Sequence, residues 1–229
     1  MKEAIHHRTI RTFSRRIGRI TAGQSQALEL QWKHYGIPRN SEKISVENIF
    51  GNKQPLIVEI GFGMGDSLIH LASQTPEKNF IGIEVHRPGI GRVLAEIELK
   101  KISNLRVMEG DALEILREQF LDHSLMGLNL FFPDPWPKTR HHKRRMVQSS
   151  FLELLAQKLS PGGIFHAATD WQPYAEVMMR ECSQSSDFIN VFGAGNYAPD
   201  PQGRPETKFE RRGRGLGHGV WDVCFRRSS

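Results

Sequence analysis

The chain has 229 residues, of which 38% are hydrophobic and 24% charged, and its formal net charge is +6. These values predict one soluble globular domain with a buried core, and no apolar run approaches the ~20 residues that a membrane-spanning helix needs. Residues 1–16 carry charge without an apolar stretch, and the two cysteines have no disulfide or metal-ligand spacing, so we expect a cytoplasmic protein with reduced thiols.

The positive charge is concentrated in three clusters. Residues 1–19 hold six Lys or Arg against one acid, residues 138–145 hold five with no acid, and residues 204–227 hold seven. Such clustering indicates a polyanionic partner, RNA or DNA, rather than a small acidic metabolite. The alternative for any single cluster is an ordinary solvated surface.

The first predicted element is a helix that follows the basic arm. The segment TAGQ at 21–24 has the form of a capping box, with Thr21 as the N-cap and Gln24 pointing back to it. The helix is expected to end at Gly36, and the polar stretch up to Gln54 is predicted to be a linker or an irregular segment. We therefore divide the chain into a basic arm and helix at 1–50 and a main domain at 51–229.

From Leu56 onward, short apolar runs alternate with amphipathic segments of helical length. The runs are LIVEI, FIGIEV, LRVME, LMGLNLFF and GIFHAAT, and FINVF and GVWDVCFRR follow near the end, the last as an antiparallel strand. This alternation predicts a doubly wound, mostly parallel, Rossmann-like α/β sheet with helices on both faces.

The first strand leads into a glycine-rich turn. Gly61, Gly63 and Gly65 allow positive φ angles and a ligand close to bare backbone, and Glu59 precedes them. A dinucleotide site is one interpretation, but the GxGxG spacing lacks the pyrophosphate fingerprint GxGxxG. A carboxylate before the glycines favours a cationic ligand over a diphosphate.

S-adenosylmethionine is a cationic ligand of this kind, with a ribose and an adenine and no phosphate. Glu84 closes the second strand, where its carboxylate would accept hydrogen bonds from the ribose hydroxyls, and Asp111 follows the third strand, within reach of the adenine. Two alternatives remain: Asp111 and Glu114 also fit a capping box, and Glu84 also fits an ordinary solvated acid.

Ordered motifs along nearly the whole chain resemble the bacterial tRNA (guanine-N7-)-methyltransferase family. They are RRIGRITAGQ (15–24), EIGFGMGDSL (59–68), IEVHRPGIG (83–91), GDA (110–112), FFPDPWPKTRHHKRR (131–145), ATDW (168–171) and TKFERRG (207–213). The resemblance implies a class I S-adenosylmethionine-dependent methyltransferase that acts on guanosine 46 in the tRNA variable loop.

The resemblance also implies roles for individual residues. Those expected near S-adenosylmethionine are Glu59, Glu84, Asp111 and Asp134, and those expected at the RNA substrate are Lys138, Asp170, Thr207, Lys208, Phe209 and Glu210. Asp134 would be the catalytic residue. Glu210 would accept hydrogen bonds from N1–H and the exocyclic amine of guanine and so select this base.

The chemistry at guanine N7 limits what Asp134 can do. N7 carries a lone pair and no proton, so its methylation needs no general base, but the purine becomes positively charged. A carboxylate beside N7 would stabilise that charge, and Pro133 and Pro135 would hold it in place. Trp136 offers a flat face on which a splayed base could stack. The alternative is that Asp134 only forms a turn and that Trp136 belongs to the core.

The cations after Trp136 are predicted to hold phosphates. The expected tRNA contacts are Trp136, Arg140, His141, His142, Lys143, Arg144, Arg145, Arg15, Arg16 and Arg19, and a solvated face is the alternative for the histidines. No metal site is expected among so many cations. The rival functions are a non-catalytic RNA-binding protein and a methyltransferase for exocyclic amines, and the sequence leaves both monomer and homodimer open.

Overall fold

A computed structural model, which describes residues 12–13, 18–199, 203–205, 210 and 219–228, shows the predicted alternation of strands and helices. The strands are β1 (Leu56–Ile60), β2 (Asn79–Glu84), β3 (Leu105–Glu109), β4 (Leu125–Phe131), β5 (Leu159–Thr169), β6 (Phe188–Asn190) and β7 (Trp221–Arg227). The helices are α1 (Ala22–Tyr35), α2 (Val46–Phe50), α3 (Asp66–Gln74), α4 (Arg87–Lys100), α5 (Ala112–Gln119), α6 (Ser149–Lys158) and α7 (Gln172–Gln184), and a 3₁₀ helix spans Thr139–Arg144. None of the helices in these ranges is long and apolar enough to cross a membrane.

The strands form one sheet in the order β3-β2-β1-β4-β5-β7-β6. The first five strands pair in parallel, and β7 runs antiparallel to β5 and β6, as the sequence predicted for the last strand. Strand β2 is buried along its whole length, which explains why its middle, residues 80–83, has no polar side chain; the polar residues are at its two ends, Asn79 and Glu84. The doubly wound, mostly parallel α/β class is therefore confirmed, and the strand order reverses between β1 and β4.

Helix α1 begins at the predicted capping box. The Gln24 amide donates to the Thr21 hydroxyl at 3.3 Å, and the Thr21 amide donates to the Gln24 side chain at 2.9 Å. The helix packs closely on α4, since a Cβ atom at Gly91 would lie 2.5 Å from the carbonyl oxygen of Gln24. Gly36 ends the helix and forms a parallel bridge to Val107 of β3, at the edge of the sheet.

The polar stretch after Gly36 is more ordered than the predicted linker. It contains α2, and it buries Ile37 and Ile44 in the core beside β3 and α5. These two apolar residues stand alone among polar neighbours, so no periodicity marked them. The division at residue 50 stays a prediction, and the structure adds that the chain before it packs on the main domain.

Two glycine substitutions test the close contact between α1 and α4. Gly91→Ala is expected to destabilise the protein by about 1–3 kcal/mol, because the new methyl group would meet backbone rather than a flexible side chain. Gly23→Ala is the matched control, since its Cβ would meet nothing within 4 Å and the helix would gain roughly 0.5–1 kcal/mol. Urea unfolding measures both values, and equal effects of the two substitutions would contradict the close contact.

Candidate active site

The glycine turn lies at the carboxyl end of β1. Gly61, Gly63 and Gly65 have φ angles of 69°, 57° and 81°, in the left-handed region that glycine adopts at least cost. A Cβ atom at Gly61 or Gly63 would meet nothing within 4 Å, so the turn presents bare backbone to open space. Gly65 is the buried N-cap of α3, and a Cβ atom there would lie 2.2 Å from the side chain of Val93, so the open part of the turn is at Gly61 and Gly63.

Glu84, at the end of β2, connects the glycine turn to the turn that follows β2. Its carboxylate accepts hydrogen bonds from the backbone amides of Gly63 at 2.8 Å, Val85 at 2.6 Å and His86 at 2.9 Å. A carboxylate has about four lone-pair positions, so these three bonds leave capacity for a ribose hydroxyl. The residue is buried, which rules out the solvated acid that the sequence had left as an alternative.

Glu59 lies beneath the same turn, buried to 2% exposure. Neither its Oε2 nor the hydroxyl of the nearby Ser67 has a hydrogen-bond partner in the described part of the chain. Burial raises the pKa of Glu59 to about 8, against smaller opposing effects of the Ser67 hydroxyl, which lies nearby but not in hydrogen-bond geometry, and of the charge on Arg204. A buried carboxyl group with one oxygen unpaired fits a ligand that brings a positive charge, such as the ammonium group of S-adenosylmethionine.

Asp111 follows β3 and faces a broad groove. Its Oδ1 accepts a hydrogen bond from the Leu113 amide at 2.9 Å, so it caps α5, as one sequence interpretation held. The reciprocal half of a capping box is replaced by an ion pair, because Glu114 pairs with Arg39 at 2.8 Å. The groove runs from Val85 past Asp111 toward α1.

The loop after β4 carries Asp134 between two strained residues. Phe132 has a φ angle of 52° and Trp136 one of 45°, both unusual for bulky side chains. The Phe132 amide donates to the carbonyl of Ala168 at 2.8 Å, and Arg145 donates to the carbonyl of Pro135 at 2.9 Å. The half-buried Asp134 is thus held on a stiff loop at the carboxyl edge of the sheet.

Trp136 is already engaged within the protein. The guanidinium of Arg144 lies 3.6 Å from its ring centroid, and its indole N–H donates to the carbonyl of Thr12 at 3.2 Å. Arg144 also donates to the carbonyl of Phe13 at 3.2 Å. Trp136 therefore holds residues 12–13 near the loop of Asp134, and a base could use only the ring face that Arg144 leaves uncovered.

The basic segment that follows divides into surface and structural residues. Lys138, Arg140 and Lys143 are exposed, as is Arg19, whereas His141 and His142 are half-buried. Partial burial and the neighbouring cations lower the pKa of His141, which keeps it neutral over a wider pH range. No group of three potential metal-ligating side chains occurs within the described ranges.

Arg145 differs from its prediction as a tRNA contact. It is only 5% exposed, and it lies over the ring of Tyr174 at 5.0 Å while it supports Pro135. The sequence could not separate this residue from its neighbours, because a run of cations has no internal mark that shows which one turns inward. The structure therefore assigns Arg145 to the support of the loop.

The predicted substrate residues are only partly within the described chain. Arg15, Arg16, Thr207, Lys208 and Phe209 lie outside the described residues. Asp170 is half-buried directly after β5. Glu210 is described, and its carboxylate is 1% exposed and paired with Arg204, rather than open at the surface as a guanine acceptor would be.

Arg204 belongs to a buried cluster that the sequence did not predict. It binds Glu210 and Asp222, and His166 binds Asp222 at 2.7 Å. The members come from β5, β7 and the chain between β6 and β7, so no sequence spacing connects them. The available signal was a polar residue in each apolar strand, His166 in GIFHAAT and Asp222 in GVWDVCF.

The fold resembles that of solved methyltransferases. A 16S rRNA methyltransferase, KamB, superimposes with a TM-score of 0.60 at 14% identity, over 85% of this chain and 99% of that one. The antibiotic-resistance methyltransferase Kmr gives 0.56 at 14% identity, over 85% and 98% of the two chains. A family model described as "Putative methyltransferase" matches residues 53–223. Fold, glycine turn and family model together define a class I methyltransferase.

Comparison with relatives narrows this class. The chain is 52% identical to the tRNA (guanine-N(7)-)-methyltransferase of Photorhabdus laumondii, over 96% of this chain and 92% of that protein. It is also 52% identical to the one of Vibrio vulnificus, over 97% and 93%. The chain belongs to the tRNA (guanine-N(7)-)-methyltransferase family, which confirms the resemblance found in the motifs.

The raised pKa of Glu59 gives a testable signature of ligand binding. At pH 6.5 the carboxyl group is protonated in the ligand-free protein, so binding of a cationic ammonium should release about one proton. Calorimetry with S-adenosylmethionine in two buffers of different ionisation enthalpy measures this proton. Affinity should rise with pH between 6 and 7.5, where the ligand amine itself stays mostly protonated.

Glu59→Gln is the control for this measurement. It should weaken binding and abolish the proton release, while proton release that persists in the variant would assign the proton to another group.

The raised pKa of Glu59 also predicts how the stability of the ligand-free protein depends on pH. The folded state keeps a proton that the unfolded chain loses above its ordinary pKa of 4.5, so stability should fall as pH rises from there toward 8.

Proposed function

We propose that the protein transfers the methyl group of S-adenosylmethionine to N7 of guanine 46 in the variable loop of tRNA. The observation that carries this proposal is the pairing of β1 with β4, which brings the loop of Asp134 to the same edge of the sheet as Glu59, whose Oε2 has no hydrogen-bond partner among the described residues. The names of the relatives supply the tRNA and the guanine N7, and the motif resemblance supplies position 46.

The carboxyl groups at the strand ends would hold S-adenosylmethionine. Glu59 would face its ammonium group, Glu84 its ribose and Asp111 its adenine, each from the position described above. When bound, this cofactor supplies a methyl group on a positively charged sulfur. The open backbone of Gly61 and Gly63 lets the ligand lie directly on the turn.

Asp134 would act by charge and position rather than as a base. Guanine N7 attacks with its own lone pair, and the purine gains the positive charge that the sulfur loses. A carboxylate at the edge of the purine stabilises this charge as it develops, and it does so best when its direction is set beforehand. The stiff loop between Phe132 and Trp136 provides that preorganisation.

The exposed cations would guide the RNA to this edge. Lys138, Arg140 and Lys143 lie on or next to the 3₁₀ helix that follows the catalytic loop. Their positive charges are suited to contacts with phosphates. Phosphate contacts supply most of the affinity in RNA recognition but little of the specificity. Asp170, Thr207, Lys208 and Phe209 are the residues that we propose for contacts with the substrate itself, since the carboxylate of Glu210 is buried against Arg204.

Substitution of Asp134 tests the proposed chemistry. Asp134→Asn and Asp134→Ala should both lower the rate of methyl transfer by about 10²–10³ while cofactor affinity changes little, because only the transition state needs the charge. Borohydride and aniline scission of unmodified tRNA after the reaction locates N7-methylguanosine and measures its amount. Near-full activity of the Asn variant would restrict Asp134 to shaping the loop.

Two controls make this test specific. Asp187→Asn removes an exposed carboxylate next to β6 and should leave the rate unchanged. A tRNA with adenine at position 46 should give no scission product there. Product at another guanine in that tRNA would contradict the proposed position, and product on an exocyclic amine would contradict the proposed atom.

The salt dependence of tRNA binding distinguishes the exposed cations Arg140 and Lys143 from Arg145, which is buried. Arg140→Ala with Lys143→Ala should weaken tRNA binding and flatten the log–log salt slope by about 0.7–0.9 for each phosphate that is no longer neutralised. Arg145→Ala should lower the melting temperature instead, because Arg145 supports the loop. Lys53→Ala, an exposed control, should change neither quantity. An unchanged slope in the double variant would place both cations outside the interface.

A further inference from the structure

We propose that Arg204 is a positioning residue for methyl transfer, which clamps the exit of β4 and so sets the direction of Asp134. This inference rests on the proposed function, because it assumes that Asp134 acts at the purine. Arg204 lies 70 residues after Asp134 in the chain, outside the motifs that identify the family. Its role follows from the contacts of its guanidinium group alone.

The guanidinium of Arg204 is held from two sides. Its Nε donates to Asp222 Oδ1 at 2.8 Å and its Nη2 to Asp222 Oδ2 at 2.6 Å. Nη2 also donates to Glu210 Oε1 at 2.8 Å, and Nη1 binds the other oxygen of Glu210. The side chain is 1% exposed, and two carboxylates, each bound through both of its oxygens, fix the planar guanidinium group in one orientation.

The flat face of this guanidinium group packs on the residues that lead into the catalytic loop. The guanidinium carbon lies 5.5 Å from the ring centroid of Phe131 and 5.4 Å from that of Phe132. Phe131 is the last residue of β4, and Phe132 adopts the left-handed conformation just before Pro133 and Asp134. A bulky residue keeps this conformation only when its surroundings hold it there.

Asp222, one of the two carboxylate partners of Arg204, connects Arg204 to the sheet. Asp222 lies on β7, opposite Ala168 of β5, and Ala168 accepts the hydrogen bond of the Phe132 amide. His166 of β5 binds Asp222 and packs its ring against Phe131 at 5.0 Å. Burial acts to raise the pKa of Asp222, but hydrogen bonds from Arg204 and His166 outweigh it and keep this pKa low, so the partner of Arg204 stays charged.

A purely stabilising role is the competing explanation, and buried ion pairs are weak evidence for stability. The two roles differ in what a conservative substitution does. Arg204→Lys keeps the positive charge near Glu59 but loses the planar fork that packs on the two phenylalanine rings and binds both carboxylates. A positioning role predicts a slower chemical step in a protein that still binds its cofactor and tRNA.

The test is single-turnover methylation with S-adenosylmethionine and tRNA both saturating. Arg204→Lys should lower the rate constant by about 10–100-fold, since small displacements of a catalytic group have effects of this order. The dissociation constants for both ligands should stay within about threefold of those of the unsubstituted protein, and the number of cofactor sites per chain should be unchanged.

Arg106→Lys is the matched control. Arg106 also packs on two aromatic rings, those of Tyr35 at 5.7 Å and Phe50 at 5.0 Å, but it lies near the start of β3, away from the carboxyl edge. Both substitutions should lower the melting temperature, but only Arg204→Lys should slow the chemical step. Equal rate constants for the two variants would overturn the proposal.

A second variant covers the case in which Arg204→Lys does not fold. Asp222→Asn keeps the shape of the side chain but removes its charge and one of its two acceptor oxygens, so it binds Arg204 more weakly. It should therefore also slow the chemical step with little change in ligand affinity. A full rate for this variant would overturn the proposal. The proposed function itself fails separately, if the unsubstituted protein forms no N7-methylguanosine in tRNA.

Discussion

The parallel pairing of β1 with β4 is the constraint on which the site depends. It places Glu59 beside Asn129 and Ile60 beside Leu130, although the two strands are almost 70 residues apart in sequence. Because the strand order reverses here, the chain leaves β1 and β4 in opposite directions, and a crevice opens between their carboxyl ends. The glycine turn borders one side of this crevice and the loop of Asp134 the other.

Two buried carboxyl groups beside the glycine turn, those of Glu84 and Glu59, have different hydrogen-bond environments. Glu84 is satisfied by three backbone amides, which makes it part of the frame that holds the turn. Glu59 Oε2 has no such partner within the described residues, and burial keeps the group protonated near neutral pH. The exposed charged side chains that follow the loop of Asp134 are positive: Lys138, Arg140 and Lys143. This separation fits a small cationic ligand inside and a polyanion outside.

The sequence predicted the parts of this arrangement that depend on local pattern. Strand and helix periods, the glycine turn and the cap at Thr21 are all encoded within a few residues, and the structure confirms them. The burial of Arg145 and the stack of Arg144 on Trp136 were not predictable, because solvation of a cation depends on which distant groups surround it. The cluster of Arg204 was missed for the same reason.

The loop of Asp134 shows why these missed contacts matter for the proposed function. Prolines on both sides of Asp134 restrict its backbone, but they do not determine where the loop as a whole points. The loop is also contacted from elsewhere in the chain: by the carbonyl of Ala168 at its start, by Arg145 at the carbonyl of Pro135, and by Arg204 on the phenylalanine rings. Electrostatic stabilisation is effective only when the charge is in place before the reaction begins. In the proposed mechanism Asp134 accepts no proton, so its effect on the rate would depend on where these contacts hold its charge.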